Sequence, residues 1–202
     1  MSRTVLVVAL ALAIPLTAAA DPPQPLWPGA IPRGHYVLDP RHTSVVAKVM
    51  HEGVSLYVLR FDTVSGGFDY DPAHPEATQL TASVDPASLD VNGNWAKEFA
   101  DKFLKVGQFT QATFVSTSAQ APGGPQGTLT GNLTLMGMTR PVTFNVTLTG
   151  SAHEMLPVPF GQRGVGFEAT TTFQRSDFGS TYFKGPVGDD VTLTIDAEFD
   201  EK

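Results

Sequence analysis

The side chains with chemistry to offer are five histidines, His35, His42, His51, His74 and His153, and two polar clusters. Cysteine is absent, which excludes thiol nucleophiles, disulfides and cysteine-ligated metals. His42 and His51 stand on or beside one predicted strand at odd spacing, so their side chains fall on opposite faces and a shared metal would need a bend. Local hydrogen bonding is the plainer role for such histidines. Arg175-Ser176-Asp177-Phe178-Gly179 is the densest polar cluster. It could orient a ligand head group. The plainer reading is a loop staple in which Arg175 pairs with Asp177 while Asp177 accepts backbone donors. Asp196, Glu198 and Asp200 share the parity of Thr192 and Thr194, which marks a solvated outer face rather than a catalytic pair. No Gly-x-Ser-x-Gly elbow, His-Glu-x-x-His run or phosphate loop occurs. The glycines between Gly161 and Gly166 precede a strand and so offer no helix N-terminus to an anion. No catalytic residue and no metal site is nominated.

The elements that must position these groups are almost all strands. Gly131 to Gly150 sets the pattern: Leu133 and Leu135, then Val142, Phe144, Val146 and Leu148, alternate with polar residues around a turn at Met136-Gly137, where glycine tolerates positive φ. This is a β-hairpin with one greasy row. Val45, Ala47 and Val49 alternate before a turn at Gly53, and the return strand carries Leu56, Tyr57 and Val58. Phe68 and Tyr70 follow a bend at Ser65-Gly66-Gly67. Further strands place Leu80, Ala82 and Val84 inward, then Phe114, then Val165, Phe167, Ala169 and Phe173. The last strand puts Val191, Leu193, Ile195, Ala197 and Phe199 on one side. One helix is expected over 94–105, capped by Asn94, with Trp95, Phe99 and Phe103 four residues apart on one face. An all-β meander with one short helix follows. Closure into an antiparallel barrel would remove exposed edges, although a sandwich fits the periodicity nearly as well.

Residues 1–20 read as a cleavable signal peptide: Arg3, an apolar run from Thr4 to Leu16, then Ala18-Ala19-Ala20 before Asp21. The run is too short to span a bilayer comfortably. Cleavage after Ala20 would deliver a periplasmic or secreted protein. Residues 21–33 form a Pro-rich arm around Trp27, and 34–202 form the folded domain. The formal charge of −7 argues against a surface that tracks phosphates, so no nucleic-acid partner is expected.

Several motifs together resemble the YceI-like family of exported, lipocalin-like barrels. They are Tyr36-Val37-Leu38-Asp39-Pro40-Arg41-His42-Thr43-Ser44-Val45, His51-Glu52-Gly53-Val54-Ser55, Phe109 to Phe114, Gly131 to Val142, Arg175 to Gly179, and Gly188-Asp189-Asp190-Val191. The resemblance spans roughly Gly34 to Lys202. The chain departs from the family's pattern at Leu59, at Trp95 and Phe99, at Lys102-Phe103-Leu104-Lys105, and at Ser180.

The resemblance implies a barrel around an apolar cavity that holds a polyisoprenoid, isoprenoid quinone or fatty-acyl lipid without bond chemistry and without a cofactor. The expected wall is Val45, Ala47, Val49, Leu56, Phe68, Leu80, Phe114, Leu133, Leu135, Phe144, Val146, Phe167, Phe173, Phe178, Leu193 and Ile195, with Trp95, Phe99 and Phe103 closing one end. His51 or Arg175 would meet the head group. Transient membrane contact and a monomer or homodimer are compatible with this. Two other classes fit the residues: a secreted hydrolase with a Ser/His site assembled by the fold, and a cavity-less β-domain for interaction.

Overall fold

The computed structural model describes residues 31–121, 124–152 and 164–202. The expected leader, the expected arm as far as residue 30 with Trp27, residues 122–123, and residues 153–163 with His153 lie outside these. The expected strands appear as β1 (Gly34–Leu38), β2 (Ser44–His51), β3 (Ser55–Phe61), β4 (Val64–Tyr70), β5 (Gln79–Val84) and β6 (Leu89–Asp90). After helix α1 (Ala96–Leu104) come β7 (Ala112–Gln120), β8 (Gln126–Leu135), β9 (Met138–Ala152), β10 (Gly164–Gln174) and β11 (Val187–Glu201). Every pairing between them is antiparallel, and the ring β1-β4-β5-β7-β8-β9-β10-β11 closes back on β1. An eight-stranded barrel is the result, as expected, and the sandwich is set aside.

β11 is the spine of the closure. Its C-terminal end pairs with β1 through Leu38↔Phe199, and its N-terminal stretch pairs with β2 through Ser44↔Asp196. β1 and β2 are thus two halves of one strand bent at Asp39-Pro40, where proline interrupts the ladder. Hydrogen bonds to the backbone stitch the bend: Asp39 N–H donates to Glu198 O at 2.8 Å, and Thr43 Oγ1 donates to Asp39 O at 2.8 Å. The Asp39 carboxylate accepts from Arg41 N at 2.8 Å and Arg41 Nη2 at 2.8 Å, and lies 2.9 Å from His42 Nδ1. The Arg41 hydrogen bond, outweighing the cost of burial, holds this carboxyl well below the usual carboxylate range.

Below the bend the barrel is solid. Tyr36 is wholly buried and stacks on Phe68 with ring centroids 5.0 Å apart. Phe199 and Phe167 meet Phe68 edge-on at 5.0 and 6.1 Å. Tyr36 O–H donates to Pro32 O at 3.0 Å, which satisfies the one polar atom of the ring among apolar neighbours. Gly67 is required here because a Cβ would sit 2.7 Å from the Tyr36 carbonyl. These aromatics plug one end.

α1 is shorter than expected. Trp95, with φ −93° and ψ −9°, occupies the N-cap, and no side chain caps the helix. Asn94 therefore stands one residue before the position from which it could reach the free amides, and the expected cap is not made.

Asp39→Ala is expected to lower unfolding free energy at pH 7 by about 1–3 kcal/mol, measured by urea titration. The native state depresses this pKa, so the stabilisation is full above the unfolded value near 4 and is lost as pH falls through the folded value. The stabilities of the two proteins should converge on acidification below about pH 4.

Candidate functional site

Above the bend the wall parts. β5 pairs with β7 only as far as Val84↔Ala112, and β6 pairs with β3 alone, so no ladder joins β6 to β7. α1 fills that gap and buries Ala100 against Leu89 and Val91. Between helix, branch and barrel lies a cavity of about 560 Å³, within the range of roughly 300–1,000 Å³ typical of small-molecule sites.

Most of the expected wall converges here. Val45, Ala47 and Val49 come from β2, and Trp95, Phe99 and Phe103 from the helix region. Phe114, Leu133, Leu135 and Phe144 form the opposite side, with Phe173, Leu193 and Ile195 between. Gly131 makes room for the Phe114 ring, since a Cβ there would collide with it and lie 2.5 Å from Val115 O.

Six expected wall residues lie elsewhere. Leu56 points outward: the hairpin register sets Met50 against Leu56 and Val49 against Tyr57, so Tyr57, Leu59 and Phe61 take the inner face. The turn residues explain the slip of one, because Glu52 (φ 52°) and Gly53 (φ 70°) both adopt left-handed backbone and fix the loop at three residues. Phe68 and Phe167 belong to the plug, and Leu80 packs between plug and cavity. Val146 sits opposite Gly127 and Ala169, away from the cavity. Phe178, only 1% exposed, packs edge-on under Phe173 at 5.3 Å. Its 3₁₀ turn ends at Gly179, whose φ of 79° turns the chain away.

Arg175 reaches the cavity edge but serves the protein itself. Buried to 6% exposure, it donates from Nε to Gly188 O at 2.8 Å, from Nη1 to Ser180 O and Tyr182 O at 2.8 and 2.9 Å, and from Nη2 to Val187 O at 3.0 Å. The expected Arg175–Asp177 staple is replaced by this carbonyl clamp. Its guanidinium also lies 5.7 Å from the Phe103 ring centroid. Burial pushes the Arg175 pKa down, and Asp189 opposes this. Asp189 accepts from Ser176 Oγ at 2.6 Å and Ser176 N at 2.9 Å, and the hydroxyl bond holds its carboxyl below the usual value.

The clamp presents Tyr182 and Phe183 at the mouth. Rings run from Trp95 to Phe99 at 6.2 Å, to Phe103 at 5.6 Å, to Tyr182 at 5.1 Å and to Phe183 at 4.8 Å. Tyr57 joins through Phe99, with His51 beside it at 6.3 Å. Hairpin register could have revealed Tyr57; nothing periodic marks Tyr182 or Phe183, which come from a loop. Among the described histidines only His51 lines the cavity, while His35 and His42 lie against Asp69 and Asp39. No group of three metal-ligating side chains gathers among the described residues.

A closed antiparallel barrel, plugged at one end and hollow under an aromatic mouth at the other, is a cavity-bearing barrel of lipocalin-like build. The chain belongs to the YceI-like family: the YceI-like domain matches residues 36–199. A UPF0312 protein of Shewanella baltica strain OS185 is 36% identical over 177 residues, covering 86% of this chain and 91% of the relative. BcnA of Burkholderia cenocepacia shares the fold at TM-score 0.70 and 22% identity, over 80% of this chain and 98% of its own. A polyisoprenoid binding domain from Saccharophagus degradans, implicated in plant cell wall breakdown, does so at TM-score 0.61 and 12% identity, over 85% and 100% of the two chains. Of the positions named above as departures from the family's pattern, Leu59, Trp95, Phe99, Phe103, Leu104 and Ser180 line the cavity, whereas Lys102 and Lys105 do not.

Arg175→Ala is expected to strip the clamp and cost at least about 3 kcal/mol. Amide hydrogen exchange should speed up chiefly in 180–188, with the plug strands much less affected.

Proposed function

We propose that this protein is an exported carrier that holds the apolar chain of a polyisoprenoid, isoprenoid quinone or fatty-acyl lipid in its cavity, with no bond made or broken. The observation that carries this reading is the distribution of polarity along the cavity. Phe114, Phe144, Phe173, Leu193 and Ile195 line it toward the plug, whereas His51, Glu98 and Tyr182 border it beside the exposed aromatics of the mouth. A charged or strongly polar head group would lose its hydration in the interior without a partner to replace it. A hydrocarbon chain gains about 0.8 kcal/mol for each methylene removed from water. The lipid therefore enters tail first and keeps its head at the mouth near His51.

Membership in the YceI-like family and the shared fold of a polyisoprenoid binding domain support the lipid class. The apolar leader of residues 1–20 supports work in the periplasm or outside the cell. Ser180 lines the cavity, but its hydroxyl donates to Phe103 O at 2.9 Å, which favours a binding role for the pocket over hydrolysis.

Organic-solvent extraction of the purified protein, followed by mass spectrometry, is expected to return one long-chain lipid per barrel. Ala47→Trp, which fills the cavity from β2, should weaken binding of an offered prenyl lipid at least tenfold, since losing room for two methylenes already costs more than the ~1.4 kcal/mol of one decade. Recovery of no lipid, together with no binding of offered prenyl or acyl chains, would overturn the proposal.

A further inference from the structure

The mouth is bordered by large apolar side chains that remain half or more exposed. On the β2–β3 hairpin Val54 is 83% exposed and Leu56 57%, with Met50 and Val58 beside them on the outer face. Across the opening Trp95 is 55% and Phe183 54% exposed. The two groups are continuous, because Glu52 N–H at the hairpin tip donates to Pro186 O at 2.6 Å in the loop that carries Phe183. Lysines stand among them, Lys97, Lys102 and Lys105 on or beside α1, Lys48 on β2 and Lys184 next to Phe183, together with Glu52, Glu98 and Asp101, the last paired with Lys97 at 3.1 Å. Lys102 Nζ lies 5.9 Å from the Tyr182 ring centroid.

The opposite, plugged end has the reverse character. Asp69, Asp71, Glu76, Glu198, Asp200 and Glu201 cluster there on β1's neighbours and the β4–β5 connection. Among the described residues the plugged end thus carries more carboxylates than basic side chains, whereas at the end that opens Lys48, Lys97, Lys102, Lys105 and Lys184 offset Glu52, Glu98 and Asp101. An anionic plane repels the first end more than the second.

From this juxtaposition we infer that the mouth is a docking surface for an anionic lipid bilayer, seated with Val54, Leu56, Trp95 and Phe183 at the headgroup boundary and the lysines over the phosphates. Tryptophan and tyrosine favour that boundary, and lysine stems lie along apolar surface while their ammonium groups stay in water. Binding by such a rim scales with the apolar area inserted plus attraction to anionic lipid, so it is reversible and salt-sensitive. The cavity opens within the docked ring, so a lipid tail leaving the bilayer enters the barrel without crossing water. This deepens the carrier reading and rests on it for its purpose, although docking itself is measured independently of loading.

The test is co-sedimentation with large unilamellar vesicles, using the chain from Asp21 onward, since every strand of the barrel begins at or after Gly34. Vesicles of equal phosphatidylglycerol and phosphatidylcholine should bind the protein at low salt, pure phosphatidylcholine vesicles at least tenfold less, and 0.5 M salt should release it. Val54→Asp with Leu56→Asp, both outside the cavity, should cut vesicle binding about tenfold or more while extracted lipid stays at the wild-type amount. Lys102→Glu with Lys105→Glu should remove the preference for phosphatidylglycerol. Circular dichroism checks that each variant is folded. Docking is overturned if the wild type ignores both vesicles, or if both double variants bind as the wild type does. Vesicle binding without extractable or bindable lipid would keep the docking surface and sink the carrier.

Discussion

The bend at Asp39 governs what the rest of the molecule can be. One strand must serve β11 along its whole length yet belong to a tight ring at one end and a splayed branch at the other. The buried carboxylate makes that switch possible by gathering the Arg41 and His42 donors inside the corner. A straight strand would carry the ring upward unchanged, and the interior would fill throughout with side chains, as small barrels ordinarily do. Splaying the wall instead leaves β6 without a partner on its far side and creates the opening that α1 occupies. Plug and cavity are two outcomes of one local kink.

A second polar device does for the mouth what Asp39 does for the wall. Arg175 gives its donors to the backbone carbonyls of Ser180 and Tyr182, in a loop without regular structure, and of Val187 and Gly188, where that loop enters β11. Buried carbonyls need partners, and a single planar guanidinium supplies several in fixed directions. The loop consequently projects Tyr182 and Phe183 over the opening at defined positions without a strand or helix beneath them. Asp189 and Ser176 brace the base of the same turn.

The strands and their inner faces were legible from alternation because inward and outward rows differ so sharply, as in β11 with Val191, Leu193 and Ile195 against Thr192, Thr194 and Asp196, although alternation did not separate a barrel from a sandwich. The wall from β2, β8 and the start of β9 followed directly from it. Alternation assigns faces but not depth along a strand, which is why Phe68 and Phe167 were expected around a ligand and instead plug the barrel. It also assigns faces only up to a shift of one, and in β3, where Leu56, Tyr57, Val58 and Leu59 are all apolar, the pattern itself is silent. There the turn decides, through two consecutive left-handed residues. The clamp and its aromatics were illegible because their positions depend on a side chain bonding to loop carbonyls, an interaction that leaves no period in the chain. The Asp177 pairing failed for a related reason: nearness in sequence is no guide to which carbonyls an arginine can span.

The placement of β11 also sets an order of events. It contacts β1, β2 and β10, and Phe199 completes the aromatic plug with Tyr36 and Phe68, residues far earlier in the chain. Contacts so distant in sequence form slowly, because a long loop must close before any of them stabilises the structure. A chain that emerges N-terminus first, from a ribosome or through a translocation pore, cannot shut the barrel until its final strand arrives. Until then the halves of the wall remain unjoined and the hollow does not exist. The chain therefore becomes a container only once its last strand is in place.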